Sequence, residues 1–151
     1  MNGHFSRILK FLMLGSMILL LACQSSPKND QKKAELRPRV HYLEIVSQDV
    51  DKTCQTLEKV LDISFGAEVV DLGMARVAEM PGGTLLGVRA PLAGHEQPIV
   101  RTYIQVEDIH KALETAEKAG AEIAYPPTRQ GETGVWAIYI QDGIQYGLWQ
   151  Q

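Results

Sequence analysis

Two short runs carry the side chains best able to recognise or transform a small molecule. In Val40-His-Tyr-Leu-Glu-Ile-Val46 the phenol of Tyr42 and the carboxylate of Glu44 stand two residues apart, and in Arg101-Thr-Tyr-Ile-Gln-Val106 so do Arg101, Tyr103 and Gln105. Both runs have strand character, and alternate side chains of a strand share a face, so each set points one way. Phenols and amides offer hydrogen bonds, Arg101 offers a charged donor fork, and Glu44 with the tyrosines offers acid-base chemistry. The histidines do not gather. His95 falls in a loop and His110 on a helix face, both read as solvated, and His41 has no partners for a metal. No nucleophile elbow, phosphate loop, Cys-His pair or zinc spacing occurs, so no catalytic residue is assigned.

An internal repeat offset by 59 residues supplies the elements that must position these side chains. Asp49-Val-Asp-Lys-Thr-Cys-Gln-Thr-Leu-Glu-Lys59 aligns with Asp108-Ile-His-Lys-Ala-Leu-Glu-Thr-Ala-Glu-Lys118, with five identities in eleven. Both read as amphipathic helices, through Val50, Cys54, Leu57 and Leu61 in the first and Ile109, Ala112, Leu113, Ala116 and Ala119 in the second. Asp49 and Asp108 stand at N-cap positions, and Gly120 ends the second helix. A strand-like run precedes each helix and three follow: Ala67 to Leu72, Ala75 to Met80 and Thr84 to Arg89 in the first half, Glu122 to Tyr125, Val135 to Gln141 and Ile144 to Gln150 in the second. Pro81-Gly82-Gly83 and Asp142-Gly143 are turns. The unit is β-α-β-β-β, present twice, at about residues 39–92 and 98–151, in one α+β domain spanning 39–151.

Two such modules in a chain of this size resemble the vicinal oxygen chelate superfamily, which includes glyoxalase I, bleomycin-resistance proteins and extradiol dioxygenases. The most family-like stretches are Tyr103-Ile-Gln-Val-Glu-Asp-Ile-His-Lys-Ala-Leu, Gly120-Ala and Gln141-Asp-Gly-Ile-Gln-Tyr-Gly-Leu-Trp149. The resemblance implies paired modules whose sheets curl into a ligand-holding cup, and it leaves open a homodimer. It also implies where a metal would sit, because metal-dependent members carry a His near the start of each first strand and a Glu near the end of each last strand. Counted from the capping aspartates and the turn glycines, those positions are Tyr42, Arg101, Gly87 and Gly147. None is a normal divalent-metal ligand, so no metal and no other cofactor is expected. A one-residue slip would bring His41 inward only by reversing its strand's other side chains.

In a metal-free cup the expected lining is Tyr42, Glu44, Arg101, Tyr103, Gln105, Gln145 and Trp149, with Arg89 on the same face and Gly87 and Gly147 widening the space. Such a lining suits a small organic ligand with an anionic or hydrogen-bonding head. Glu44 pairing with Arg101, and Tyr or Trp merely filling the core, is the competing reading. The Pro- and Gly-rich stretch from Pro126 to Gly134, with Trp136 behind it, is read as a surface connection, with a rim or lid of the cup as the alternative.

The chain's start sets an address. Residues 1–22 hold Arg7, Lys10 and the apolar run Phe11 to Ala22 without any acidic residue, the layout of a signal peptide. That run is about a dozen residues long, short of the roughly 20 that span a bilayer. Leu20-Leu21-Ala22-Cys23 resembles a lipobox, so Cys23 is expected to be lipidated and to hold the protein on a membrane. Gln24 in place of an aspartate implies outer-membrane sorting, facing the periplasm. Residues 23–38 are polar and aperiodic, a flexible tether. Loss of Arg7 and Lys10 from the 15 basic side chains leaves 13 against 18 acidic ones, a net charge near −5, which disfavours nucleic acid as a partner. Cys54 is then unpaired and lies on an apolar helix stripe, a buried inert thiol.

Two function classes follow. One is a membrane-anchored, metal-free binder of a small molecule, similar to bleomycin-resistance members. The other is a glyoxalase-like lyase, isomerase or dioxygenase of the cell envelope. An exported domain meets little glutathione, which weighs against the family's best-known reaction. A structural domain with a vestigial cup that binds a protein partner is the third and plainest reading.

Overall fold

The computed structural model describes residues 38–151. The expected signal peptide, Cys23 and nearly all of the tether lie outside the described residues. Among the described residues no helix is long and apolar enough to cross a membrane.

Each module unfolds in the expected order. The first runs β1 (Val40–Val46), α1 (Val50–Leu61), β2 (Glu68–Val69), β3 (Ala75–Glu79) and β4 (Leu85–Arg89). The second runs β5 (Ile99–Gln105), α2 (Ile109–Lys118), β6 (Glu122–Gln130), β7 (Gly134–Gln141) and β8 (Ile144–Gln150). Both helices start on an aspartate that accepts a backbone N–H three residues on, Lys52 to Asp49 and Lys111 to Asp108, each at 2.9 Å. Gly120, at φ +92°, closes the second helix by donating its N–H to the carbonyl of Glu117.

All eight strands form one curved, open sheet in the order β2-β3-β4-β1-β5-β8-β7-β6. Parallel pairs β1/β4 and β5/β8 flank a central antiparallel pair, β1/β5, which joins the modules. The helices cover the convex face. One core gathers Cys54, Phe65, Ala78, Leu86 and Val88, and the other Ile109, Leu113, Ala137 and Leu148. Cys54 is fully buried, and burial pushes its thiol pKa up, as expected for an inert cysteine.

Two strands differ from expectation. The run from Ala67 to Leu72 pairs only through Glu68 and Val69. It then coils into a single turn of 3-10 helix, Val70–Leu72, because Gly73 (φ +65°) and Met74 (φ +60°) turn the chain back towards β3. Conversely, the run expected to stop at Tyr125 continues to Gln130, so most of the Pro- and Gly-rich connection is strand. Pro126 and Pro127 cost no ladder bond there, because β6 is the sheet's edge and its register slips on either side of Tyr125.

Candidate functional site

The central register decides the floor of the cup. Antiparallel pairing sets Tyr42 opposite Tyr103 and Glu44 opposite Arg101, while the parallel pairs set Glu44 beside Gly87 and Tyr103 beside Gly147. The two glycines do not widen the cup as expected, because tyrosine rings occupy the space they leave. A methyl group on Gly87 would fall 2.0 Å from the Tyr42 hydroxyl, and one on Gly147 would fall 2.5 Å from the Tyr103 ring. The tyrosine ring centroids lie 5.6 Å apart.

This floor does not fit a divalent metal. Burial, reinforced by the nearby Glu44 carboxylate, raises the pKa of both Tyr42 and Tyr103 well above the usual phenol range, so neither offers phenolate. Arg101 is a cation, and the glycines bring no donor. Among the described residues no three His, Cys, Asp or Glu side chains come together as a metal-holding group.

His41 takes an unexpected place. The β1/β5 register shifts between Val40 and Tyr42. At this bulge His41 packs against Trp149, with centroids 4.8 Å apart and the rings tilted by 37°, while Tyr42 keeps its place on the floor. Alternation alone excluded that combination. His41 stands behind the cavity wall rather than in it, with Nδ1 unpartnered, and burial followed by the Arg39 charge lowers its pKa.

One side of the cup is an ion-pair network. Glu44, 6% exposed, accepts from Arg89 Nε at 2.7 Å through one oxygen and from Arg101 Nη1 through the other. Arg89 also grips Glu96 with both terminal nitrogens, at 2.9 and 2.7 Å, and donates to the Ala90 carbonyl. Arg101 donates Nε and Nη2 to the Gln145 amide oxygen. The hydrogen bonds from Arg89 hold the Glu96 carboxyl down at about 2. Two buried guanidinium groups are thus matched by two carboxylates.

The other side is aromatic. Tyr103 meets Trp136 and Trp149 edge-on at 6.4 and 6.2 Å, and Tyr125 lies 5.7 Å from Trp136. Contacts of this kind each add about 1 kcal/mol beyond burial. The Tyr42 hydroxyl and Trp149 Nε1 are buried without a hydrogen-bond partner.

Between the two sides lies a cavity of about 590 Å³. Tyr42, Glu44, Arg101, Tyr103, Gln145 and Trp149 all line it, as do Arg89 and Trp136. Gln105 does not, contrary to expectation. It sits at the end of β5, where it is held between Arg39 and Gln151. His95, read from sequence as merely solvated, is exposed but borders the cavity. Glu96, Asp71, Leu72 and Tyr125 were missed. Glu96 enters through the loop after β4, and Asp71 and Leu72 enter through the 3-10 turn, which no strand period could disclose. Asp71 reaches across to the β6-β7 turn, where a methyl group on Gly131 would fall 2.7 Å from its carboxylate oxygen. The rim therefore joins the two modules, and Gln130 brings the end of the Pro-rich stretch to the cavity.

A family model described as glyoxalase/bleomycin resistance protein/dioxygenase superfamily matches residues 39–146. Similar solved structures include a hypothetical protein from Bacillus halodurans C-125, with TM-score 0.61, 12% identity, and 76% of this chain and 94% of that one covered. Methylmalonyl-CoA epimerase from Mycobacterium tuberculosis gives 0.59 at 15% identity, covering 74% and 86%. A variant of the Streptomyces coelicolor epimerase in complex with 2-nitronate-propionyl-CoA gives 0.54 at 15% identity, covering 75% and 96%. At such identities these likenesses speak for the fold. Among curated proteins none matches the sequence.

Proposed function

From the premise that this chain belongs to the glyoxalase/bleomycin resistance protein/dioxygenase superfamily, we propose that it is a membrane-anchored protein that binds a small organic molecule in its cup without a catalytic metal. The observation that carries this reading is the replacement of the family's metal-ligand positions by interlocked side chains. Tyr42 fills the gap at Gly87, Tyr103 fills the gap at Gly147, and Arg101 is committed to Glu44, yet a cavity of about 590 Å³ remains above them. That volume is of the size that holds drug-like ligands.

The address rests on sequence. A lipid on Cys23 would keep the domain in the cell envelope, most simply on the outer membrane facing the periplasm, where glutathione-dependent chemistry is poorly supplied. Metabolic labelling with a palmitate analogue tests this directly. Label should appear on the full chain and vanish with Cys23→Ser, and label retained by that variant contradicts the anchor.

For binding, a thermal-shift panel of small carboxylates, aromatic compounds and peptide antibiotics is run on the full chain in detergent. A ligand that binds only the native state must raise the melting temperature, and a panel without any shift contradicts the reading. A glyoxalase-like lyase, isomerase or dioxygenase is the second reading. It is favoured by Glu44 lying 3.4 Å from the Tyr103 hydroxyl and weakened by the two guanidinium groups that occupy both Glu44 oxygens.

A further inference from the structure

We infer that the cup selects an organic cation, its ammonium group held at the mouth against Trp136 and Tyr125 and facing the Asp71 carboxylate, its apolar body in the cavity behind them. The inference rests on the small-molecule reading of the same cavity and narrows its ligand to one chemical class.

Charge is the first argument. Glu44, Glu96 and Asp71 border the cavity against Arg89 and Arg101, so carboxylates outnumber guanidinium groups by one; His95 also borders it. The excess sits in one place. Glu44 gives one oxygen to each arginine, and Glu96 accepts from both terminal nitrogens of Arg89 and from the Leu92 N–H. Arg101 spends its other donors on Gln145. These four charges cancel within the wall. Asp71 remains, exposed at the rim and without an ion pair or side-chain hydrogen bond among the described residues. An anion would have to break a buried pair and pass Asp71, whereas a cation meets a carboxylate with no other partner. The arginines that suggested an anionic head from sequence are already committed.

The aromatic faces are the second argument. Trp136 and Tyr125 both line the cavity and both keep accessible surface, Trp136 half-buried and Tyr125 55% exposed. Their ring centroids lie 5.7 Å apart with the planes tilted by 46°. Tyr103 meets Trp136 at 82°, and a near-perpendicular pair covers at most one ring face, where a stacked pair covers two. Ring faces are negative and attract cations, tryptophan most strongly, and they offer an anion nothing equivalent.

The chain places the carboxylate beside those rings. Leu72, next to Asp71, packs against the cluster of Tyr103 and Trp149 on which Trp136 also packs. The Asp71 carboxylate lies against the β6-β7 turn at Gly131, and that turn leads into β7, which carries Trp136. A carboxylate beside accessible ring faces lets an ammonium group shed water while its charge stays matched. The chain's formal net charge of −3 draws cations at longer range.

Benzyltrimethylammonium, its uncharged carbon isostere neopentylbenzene, and phenylacetate separate these arguments, titrated calorimetrically into the full chain in non-ionic detergent. The cation should bind about tenfold tighter than the isostere, and phenylacetate weakest. Asp71→Asn should cut the preference for the cation about threefold while leaving neopentylbenzene unchanged. Trp136→Leu should lower the same ratio by at least as much. Equal or tighter binding of neopentylbenzene or phenylacetate overturns the inference and leaves the small-molecule reading intact. So does a cation preference that Asp71→Asn leaves unchanged, whatever becomes of Trp136→Leu, because Asp71 is exposed and its substitution spares the core. Absence of binding by all three overturns it too, and only a wider panel without any ligand would take the parent reading with it.

Discussion

The two modules share one backbone plan but place different side chains at equivalent positions. The cup's polar and aromatic poles each draw on both, Arg101 and Gln145 of the second module joining the ion network and Tyr42 of the first the aromatic cluster. Tyr42 and Arg101 are equivalent positions, as are Glu44 and Tyr103, and as are Arg89 and Trp149, each pair related by the repeat and by the matched parallel registers at Gly87 and Gly147. Where the first module ends β4 in an arginine that enters an ion network, the second ends β8 in a tryptophan that enters an aromatic wall. The repeat sets where side chains point, and the residues in which the two copies differ decide what they offer. A pocket with one polar and one aromatic pole can orient a ligand, which two identical halves cannot do.

The comparison breaks first at the polar pole. Glu44→Ala would leave Arg101 buried with only the neutral Gln145 amide and Arg89 with only Glu96, and denaturant unfolding should show a loss of about 3 kcal/mol. If instead the loss stays within that of an ordinary surface substitution, the network is not the brace proposed for that pole. Next come the two glycine sockets, which should differ although they are equivalent. At Gly147 an added methyl meets the base of the Tyr103 ring and the Thr102 carbonyl at 2.9 Å, atoms with little freedom to move, whereas at Gly87 it meets the far end of the Tyr42 side chain. Gly147→Ala should therefore cost about 3 kcal/mol and Gly87→Ala about half of that, measured the same way. Equal costs would mean that the tyrosines are not the reason for the glycines.

Acid should act on both poles, at His41 behind Trp149 as pH falls below the usual imidazole range, because burial lowers its pKa, and at Glu96 in the polar pole further down. The Arg89 hydrogen bonds hold the Glu96 carboxyl at about 2 in the folded protein, against 4.5 for a free glutamate, so the unfolded chain binds its proton more readily. The associated stability is present above about pH 5 and lost as pH falls towards 2, amounting to about 2–3 kcal/mol. Glu96→Gln should flatten that part of the stability profile, and a profile unchanged by the substitution contradicts the role given to the Arg89 clamp. The smallest effect belongs to the aromatic pole: Tyr42→Phe removes an unpaired hydroxyl and should alter stability by no more than about 0.5 kcal/mol.

Periodicity made much of this legible. The helix caps, the doubled β-α-β-β-β order, and six of the seven expected lining residues follow from spacings of two and 59 residues. What escaped depended on breaks in period. The bulge at His41 let one strand present two neighbours on the Trp149 side, the 3-10 turn carried Asp71 and Leu72 to the rim, and the loop after β4 delivered Glu96. Gln105 failed for a different reason, since alternation gives the face of a side chain and not how far along the strand the cavity reaches. Gly87 and Gly147 were assigned to empty space because the sequence does not show a neighbour's ring leaning into the gap.

Metal content tests the central claim most directly. The full chain, purified without chelator and incubated with divalent zinc, nickel, cobalt, manganese and iron in turn, is desalted and analysed for bound element. Interlocked Tyr42 and Tyr103 with a committed Arg101 predict only traces of each. One equivalent of any of these ions per chain, lost on His41→Ala or Glu44→Gln, would contradict the account and restore the cup as a metal centre.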